Sequence, residues 1–424
     1  MVFIKIIQKK VVISMDLRDI NNIEIKYNKD NKYSRFGLLP LLIWYIRNIL
    51  DLEKRFKTLT VKTKRNHVNP VKYREKPYTE EKMSLTFIVL ILLQIERFYK
   101  IKDTLSDEIG IAKLIGLEKF FSDQTAYNFI NGFQKWHIDQ LQRINTNLLL
   151  DFGLSFHQDF PVIDVDMTTF SLESKLREGA VPGYNKKNMG KPCYQWSVAF
   201  CSGEVIANRL AEGNTVSLSY FMEMLENIEK LLHSKLYMMR LDAGYLSTEV
   251  LDYITDKNLF ILCGCKYSYV MAQPENKVKQ VEWYSYDENT WLFDLGVTKV
   301  VKEAKGDFRV ILVKKKQEKI KIKKVIEYIQ YALVTNFYIQ QDPETIYKEY
   351  HKRQTIENFF KEVKNPFHST KMPSALFRGN EAYLYFEVIA YNCWQIFKKT
   401  IYQLHGKGIH IKQLQSDLLD MPAN

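Results

Sequence analysis

The stretch PVIDVDMTTF at residues 161–170 begins the part of the chain that determines its fold. Its β-branched and alternating apolar side chains predict a β-strand. Two further strands are predicted in CYQWSVAFCSG (193–203) and EVIANRLAEG (204–213), with a tight turn at Ser202-Gly203 between them. The stretch SLSYFMEMLENIEKLL (217–232) then has the apolar spacing of an amphipathic helix.

The next three stretches alternate between strand and helix. KLYMMRLDAGYL (235–246) predicts a strand that ends in a turn, TEVLDYITDKN (248–258) a helix and LFILCGC (259–265) a short buried strand. The full order is three strands, helix, strand, helix and strand, which is the order of an RNase H-like α/β fold. A mixed sheet flanked by helices follows from this alternation.

The regions around this core have different patterns. Residues 1–33 are polar and predict an arm, while apolar residues three and four apart in 34–153 predict an all-helical, DNA-binding region. Residues 267–330 alternate with a period of two and predict a β-rich insertion. We therefore assign the core to 154–266 and 331–402, and a C-terminal tail or helix to 403–424.

The chain of 424 residues is strongly basic, with a formal charge of +12. A globular protein with this charge usually binds a polyanion; nucleic acid is the first candidate and an anionic membrane the second. No apolar run reaches the roughly 18 residues that span a bilayer, and no signal peptide is recognisable, so the cytoplasm is expected. The scattered cysteines and histidines predict neither a disulfide framework nor a zinc site.

Four polar side chains recur with helical spacing in YKEYHKRQTIENFFKEVK (347–364). Tyr350, Arg353, Glu357 and Lys364 are separated by three, four and seven residues, which places them on one stripe of a helix. Cations and a hydroxyl can hold phosphate oxygens, and a carboxylate can hold a divalent ion. The alternative is a solvated face with intrahelical ion pairs.

The limits of this predicted helix are also marked in the sequence. Asp342-Pro343 supplies an N-cap and a first-turn proline, and Asn365-Pro366 ends the helix. An apolar stripe on a second face allows the helix to pack on a core. It consists of Ile356, Phe359, Phe360 and Val363.

Aspartates in the predicted strands are candidates for the rest of a metal site. Asp164 and Asp166 are two residues apart on the first strand, so they project from the same face. Two carboxylates placed in this way repel each other unless a cation lies between them. Asp242 ends the fourth strand, where sites commonly form, although Asp242-Ala-Gly can also be a simple turn. Phosphodiester chemistry with two divalent ions needs several converging carboxylates.

These motifs resemble those of DDE transposases of bacterial insertion sequences, in the cut-and-paste branch with a Tyr-x2-Arg-x3-Glu-x6-Lys signature. Tyr350, Arg353, Glu357 and Lys364 match that spacing without a gap. The stretch PGYNKKNMGKPCYQ (182–195) and the β-rich insertion are similar to segments of the same family. The resemblance extends over about residues 160–400.

The two aspartates of the family also have counterparts here. Asp166, followed by Met167-Thr168, resembles the first, and Asp242 in LDAGY resembles the second. Asp164 is the alternative to Asp166, which we favour because Thr168 follows it at the family's offset.

The resemblance implies a metal-dependent enzyme that cleaves DNA at insertion-sequence ends and transfers the 3′ ends into target DNA. Two Mg²⁺ ions, for which Mn²⁺ can substitute, would be held by the catalytic residues Asp166, Asp242 and Glu357. Its partners would be double-stranded DNA, as inverted repeats and target, and a second copy of the chain in a paired-end homodimer.

Other residues are predicted to bind DNA. The resemblance assigns phosphate contacts to the signature residues Tyr350, Arg353 and Lys364, with Lys361 beside them. Trp291 or Trp283 could stack on a flipped base, although a strand tryptophan is commonly a core residue. Basic segments that could follow a phosphate backbone are Lys186-Lys187, the connector 54–76 and KKKQEKIKIKK (314–324). A helix-turn-helix is possible within 109–144.

Two other functions remain open on the sequence alone. Another DNA nuclease with an RNase H fold, of the resolvase or repair type, would also need the acidic residues. A domesticated copy that binds DNA without catalysis would keep the basic surface. The signature argues against the simple nuclease, and the presence of all three acidic positions argues against loss of catalysis.

Overall fold

The computed structural model describes residues 36, 39–61, 78–185, 188–232, 235–276, 281–301, 303–320, 324–337 and 340–405. The helices of the described part are α1 (Leu39–Trp44), α2 (Leu52–Phe56), α3 (Glu80–Leu92), α4 (Lys100–Leu105), α5 (Ile109–Leu114), α6 (Asp123–Ile130), α7 (Lys135–Phe152), α8 (Phe221–Leu232), α9 (Thr248–Asp256), α10 (Tyr267–Met271), α11 (Pro343–His351), α12 (Gln354–Lys364) and α13 (Phe377–His405). The strands are β1 (Val162–Ser171), β2 (Val181–Pro182), β3 (Pro192–Cys201), β4 (Glu204–Glu212), β5 (Met238–Leu241), β6 (Phe260–Lys266), β7 (Tyr284–Asp287), β8 (Thr290–Thr298), β9 (Phe308–Ile320) and β10 (Lys324–Thr335). None of the described helices is long and apolar enough to cross a bilayer.

All of these strands belong to one mixed sheet, in the order β2-β3-β1-β5-β6-β10-β9-β8-β7, with β4 also paired to β3. β1, β3 and β4 are antiparallel neighbours, while β5 and β6 run parallel to β1. Ser202 and Gly203 join β3 to β4 with φ values of 54° and 85°, the left-handed conformation of a two-residue hairpin turn. This order and these directions confirm the predicted RNase H-like fold class.

An all-helical region precedes the sheet, as predicted. The N-cap residue Ser122 accepts a hydrogen bond from the Thr125 N–H at 3.3 Å and starts α6. α3 packs against the long helix α13, where the rings of Phe87 and Phe386 have centroids 5.3 Å apart. The helical region and the sheet therefore share one hydrophobic core.

The β-rich segment continues the core sheet. Residues 331–335 of β10 pair with β6 on one side and with β9 on the other. β8 and β7 extend the sheet beyond β9 in antiparallel fashion. The long β9–β10 ribbon is therefore attached directly beside β6. β6 in turn neighbours β5, the strand that Asp242 follows.

The prediction of a single helix between Asp342 and Asn365 is wrong, because the chain forms two helices there. The predicted limits are correct: the Asp342 side chain accepts a hydrogen bond from the Thr345 N–H, and α12 ends at Lys364. Between them, the backbone makes a turn at residues 352–353. The apolar stripe of α12 is buried as expected.

The interruption has a local cause in β5. Arg240 Nη1 donates a hydrogen bond to the Glu349 carbonyl at 3.0 Å. The Arg353 N–H, which an unbroken helix would direct to Glu349, bonds to the Tyr350 carbonyl at 3.1 Å. The Glu349 carbonyl thus accepts Arg240 and, at 3.3 Å, the Lys352 N–H in place of the Arg353 N–H, and α11 ends there.

Candidate active site

Two aspartates project from the same face of β1, but their surroundings differ. Asp164 is 2% exposed, and each of its carboxylate oxygens accepts a hydrogen bond from Arg240 at 2.7 Å. Thr355 Oγ1 lies 3.2 Å from the same carboxylate and donates a third bond. Asp164 therefore belongs to a buried ion pair that joins β1, β5 and α12.

Asp166 lies two residues further along β1 and faces the other candidate residues. Its Oδ2 accepts a hydrogen bond from Arg353 Nη1 at 2.9 Å, and its Oδ1 accepts one from the Met167 N–H at 2.8 Å. The side chain keeps 20% of its surface exposed. Asp166 is therefore accessible to a ligand, whereas Asp164 is enclosed by protein donors.

Asp242 follows β5, the strand that runs parallel beside β1. It precedes a 3₁₀ turn at Ala243–Tyr245 but does not cap that turn with its side chain. Within the described residues, the exposed Asp242 carboxylate accepts no hydrogen bond. The 3₁₀ turn therefore does not use the Asp242 carboxylate as a hydrogen-bond acceptor. The negative charge of Asp242 contributes to raising the pKa of Asp166.

Arg353 connects the two halves of the site. One of its nitrogens contacts Asp166 at 2.9 Å, and another lies 3.4 Å from Glu357 Oε1. The Arg353 side chain is 13% exposed, while that of Glu357 is 48% exposed and faces solvent. The structure thus brings Asp166, Asp242 and Glu357, which are distant in sequence, to the neighbourhood of one guanidinium group.

The charges in this cluster perturb one another. Burial raises the pKa of the Asp166 carboxyl; the charge of Arg353 opposes that change and the charge of Asp242 adds to it. Burial, the largest single effect, lowers the pKa of the Arg353 guanidinium, but the negative charges of Asp166 and Asp242, the nearby Tyr350 and the hydrogen bond to Asp166 together outweigh burial and raise the pKa overall. The cluster is therefore a place where negative charge is concentrated and positive charge is stabilised.

Tyr350 lies against β6 and Arg353. A Cβ atom added to Gly264 would be 2.6 Å from the Tyr350 hydroxyl oxygen. Because glycine has no side chain, this hydroxyl can occupy the space beside it. The Tyr350 hydroxyl lies close enough to Arg353 for the guanidinium charge to act on it. Burial raises the pKa of Tyr350, so the hydroxyl stays protonated at neutral pH. Tyr350 is placed to hold the guanidinium of Arg353 in position.

The two lysines of α12 are placed differently. Lys364 Nζ contacts Thr168 Oγ1 and donates to the Thr169 carbonyl at 3.1 Å, beside Asp166 on β1. Lys361 is exposed, and its Nζ lies 3.5 Å from Asn358 Oδ1. Lys364 is thus bound to the core strand, while Lys361 projects toward solvent.

The predicted stacking tryptophans lie on the β-rich segment. Trp283 and Trp291 are both half-buried, and the Trp291 ring centroid is 5.9 Å from that of Tyr328. Lys314 Nζ lies 4.7 Å above the Tyr328 ring and 5.9 Å from that of Trp283. These residues form a cluster with one another and are not in the set of residues around Arg353.

Several predicted DNA-binding positions lie outside the described residues. They are Lys186, Lys187, residues 62–76 of the basic connector and residues 321–323 of the lysine-rich stretch. Residues 406–424 of the predicted C-terminal tail or helix are outside them as well.

No preassembled metal site is present in the described part of the chain, where no three His, Cys, Asp or Glu side chains are grouped closely enough to hold an ion. All five cysteines are free and buried. A metal site would therefore have to form from the carboxylates around Arg353.

Sequence analysis missed Arg240 and Tyr245. Arg240 fixes Asp164 and interrupts the α11–α12 segment. Its signal was an arginine inside the apolar strand Met238–Leu241, since a charge is rarely buried there without a partner. Tyr245 is 1% exposed and its hydroxyl lies near Asp166, but nothing in the pattern of LDAGYL distinguishes it from an ordinary core tyrosine.

A sequence model described as "Transposase DDE domain group 1" matches residues 99–424 of the chain. Among solved structures, the chain is similar to a piggyBac transposase synaptic complex with hairpin DNA, with 12% identity, a TM-score of 0.47 and coverage of 92% of this chain and 82% of that chain. It is more distantly similar to a Mos1 transposase paired-end complex with the left transposon end, with 13% identity, a TM-score of 0.18 and coverage of 49% and 64%. No curated protein matches the chain.

Proposed function

The chain belongs to the transposase DDE domain group 1 family, and we propose that it cleaves DNA at the ends of an insertion sequence and transfers the 3′ ends into target DNA. One observation carries the proposal. Arg353 contacts both Asp166 on β1 and Glu357 on α12, and it lies close enough to Asp242 to interact with its charge. Acidic residues from three separate parts of the chain therefore lie around one guanidinium, which supports the proposal.

In this proposal Asp166, Asp242 and Glu357 would hold two Mg²⁺ ions, for which Mn²⁺ can substitute. The donor set fits, because carboxylate oxygens are the ligands that these hard cations prefer. The repulsion between Asp166 and Asp242 supports the proposal, because a cation bound between them would relieve it; Arg353 already contributes one positive charge beside Asp166. The chemistry that bound ions supply is activation of the attacking water or 3′-hydroxyl and stabilisation of the leaving oxygen.

The choice of Asp166 over Asp164 is supported by their hydrogen bonds. Both oxygens of Asp164 are taken up by Arg240, and the residue is 2% exposed. Asp166 keeps an accessible side and interacts with Asp242. We therefore assign the catalytic role to Asp166 and a structural role to Asp164.

Arg353, Tyr350 and the α12 lysines would hold the DNA strand. A guanidinium carries five N–H donors, so Arg353 can bind a phosphate oxygen while one N–H remains bonded to Asp166. The Tyr350 hydroxyl beside the guanidinium would fix the orientation of Arg353. Lys361 is free to reach a phosphate, and Lys364 places a positive charge beside Thr168 and Thr169.

The proposed partners follow from the reaction. They are double-stranded DNA, as the inverted repeats of the element and as target DNA, and a second copy of the chain that holds the other end in a paired-end complex. Trp291, Lys186 and Lys187 remain proposed DNA contacts. The formal charge of +12 supports binding to a polyanion. The proposed compartment is the cytoplasm, which the five free, buried cysteines support.

A cleavage assay with matched variants tests the proposal. Purified protein with Mg²⁺ is expected to cut DNA at the tip of its own element and to join the 3′ end to a second duplex. Asp242→Asn and Glu357→Gln are expected to abolish both steps and to keep end binding in a gel-shift assay. Glu249→Gln, an exchange at an exposed position on α9, is the control and should cut normally.

Each other outcome points to a specific alternative. Cutting without joining would identify a nuclease, and binding without cutting by the unaltered protein would identify a non-catalytic DNA-binding protein. Full cutting by both Asp242→Asn and Glu357→Gln would contradict the metal assignment.

A further inference from the structure

A groove outside the proposed active site is lined by basic residues that the site does not use. It encloses about 640 Å³ between α7, the edge strand β4 and α8. Its charged lining consists of the cations Lys135, Arg143, Arg209 and Lys230 and the anions Asp139 and Glu223. Four positive and two negative charges leave a net charge of +2 in the groove.

The cations from α7 follow a regular path. Lys135 and Arg143 are eight residues apart, so they lie on one face of the helix at a separation of about 12 Å along its axis. That length corresponds to roughly three or four successive phosphates of one strand of duplex DNA. Asn147, four residues beyond Arg143, continues the same face with a side-chain amide that can donate to a phosphate oxygen.

The opposite wall is formed by β4 and α8. Arg209 is held in place there, with its guanidinium 4.9 Å from the ring centroid of Tyr220 and 3.8 Å from Glu223 Oε1. Lys230 adds a second cation on α8. Within the described residues, Lys135, Arg143 and Lys230 form no salt bridge, so their charges are available to a ligand.

The position of the groove relates it to the proposed active site. Asp166 on β1 is paired with Val198 on β3, and Val198 is paired with Asn208 on β4, which lines the groove. Two strand spacings amount to about 10 Å. One turn of duplex DNA is roughly 34 Å long, so a single DNA molecule can contact both places.

We propose that this groove binds the phosphate backbone of duplex DNA outside the phosphodiester that reacts. The inference rests on the proposed DNA-processing function and assigns Lys135, Arg143, Arg209 and Lys230 to a second DNA contact. Because phosphate contacts carry no sequence information, the groove would add affinity for any duplex and would orient the DNA across β4.

The test uses the full chain and a fluorescent duplex of arbitrary sequence, about 30 base pairs or three helical turns long. Arg143→Glu with Lys230→Glu removes one cation from each wall. The matched control, Lys299→Glu with Lys305→Glu, makes the same charge change at lysines paired with Asp307 and Asp256, and neither lysine lines the groove. Circular dichroism melting of both variants checks that they are folded.

We expect the groove variant to bind the duplex about tenfold more weakly, with a salt dependence of log K shallower by about 2, since each lost phosphate contact removes about 0.9. The control should stay within twofold of the unaltered protein. Equal binding by the groove variant and the control would overturn the inference.

Cleavage of element-end DNA by the unaltered protein separates the two hypotheses. If the protein cuts end DNA but the groove variant binds DNA like the control, the proposed function is supported and DNA binding by the groove is rejected. If the groove variant loses affinity while the unaltered protein cuts no end DNA, the groove stands and the proposed transposition chemistry does not.

Discussion

Asp164 and Asp166 show how two identical side chains on one strand face can have different roles. Asp164 faces Arg240, a cation buried in the next strand, and their charges are matched inside the protein. Asp166 shares Arg353 with Glu357 and interacts with Asp242. The sequence could identify both aspartates as candidates, but not which of them meets a buried arginine, because that pairing depends on strand register.

Exchange of each aspartate for asparagine should separate these roles. Asp164→Asn leaves Arg240 buried without its partner, so we expect the free energy of unfolding to fall by about 3–5 kcal/mol. Asp166→Asn should change stability much less and abolish DNA cleavage. Chemical denaturation and a cleavage assay measure the two effects. A stable Asp164→Asn variant without cleavage, beside an active Asp166→Asn variant, would reverse the assignment.

The position of the Tyr350 hydroxyl depends on the absence of a side chain at Gly264. An alanine at position 264 would place its Cβ 2.6 Å from the Tyr350 hydroxyl oxygen, which must then move away from Arg353. We expect Gly264→Ala to slow cleavage about 10- to 100-fold, as misplacement of a positioning group does. The rate of cleavage under single-turnover conditions is the measurement.

A double-variant cycle supplies the control for this prediction. Tyr350→Phe removes the hydroxyl that collides with the new methyl group, so it should restore much of the rate in the Gly264→Ala background. Additive losses in the double variant would show that Gly264 does not act through Tyr350.

At the scale of elements, the break between α11 and α12 is the feature that sequence analysis could not predict. Residues 343–364 have the caps and apolar spacing of one helix, and local propensity gives no reason to stop at 352. The stop comes from Arg240, more than 100 positions earlier in the chain, which bonds the Glu349 carbonyl. The break places Arg353 at the start of α12, one turn before Glu357.

Removal of the whole ion pair tests this cause. Asp164→Leu with Arg240→Met replaces a buried ion pair by apolar side chains, which is commonly neutral or stabilising. It also frees the Glu349 carbonyl, so α11 and α12 are expected to join and the Arg353 amide to exchange its hydrogen more slowly. We predict a melting temperature near that of the unaltered protein with cleavage reduced at least about tenfold. Normal cleavage by a stable double variant would show that the break does not position Arg353.

At the scale of the whole molecule, the core alternation of strands and helices and the helical N-terminal region were predictable from periodicity. The β-rich segment was predictable too, but not its continuity with the core sheet, because pairing of β10 with both β6 and β9 depends on long-range contacts. Likewise, nothing in the sequence of α7, β4 and α8 shows that they enclose a basic groove.

The shared core also contains an ionisable group that makes its stability dependent on pH. Glu387 in α13 is fully buried, its Oε2 accepts a hydrogen bond from Ser369 at 2.6 Å, and within the described residues its Oε1 has no partner. Burial raises the pKa of Glu387 well above 4.5. The folded state therefore holds the proton more tightly than the unfolded state, and this contribution to stability is lost as the pH rises from 4.5 through the raised pKa.

Glu387→Gln removes this titration. We expect the variant to gain stability relative to the unaltered protein as the pH rises above 4.5, with a melting temperature higher by a few degrees at alkaline pH. Glu249→Gln, an exchange at an exposed position on α9, is the control and should show a constant difference. A difference for Glu387→Gln that does not change with pH would contradict the prediction.

The proposed active site requires that Asp166 and Asp242, and not Asp164, bind the divalent ions. The most direct test is cleavage of element-end DNA by Asp166→Cys, Asp242→Cys and Asp164→Cys in Mg²⁺ and in Mn²⁺. A thiolate is a poor ligand for Mg²⁺ and a better one for softer ions, so cleavage by the first two variants should be lost in Mg²⁺ and recovered in part in Mn²⁺. Asp164→Cys should show no such dependence on the metal. A metal-dependent recovery confined to Asp164→Cys would contradict the proposed active site.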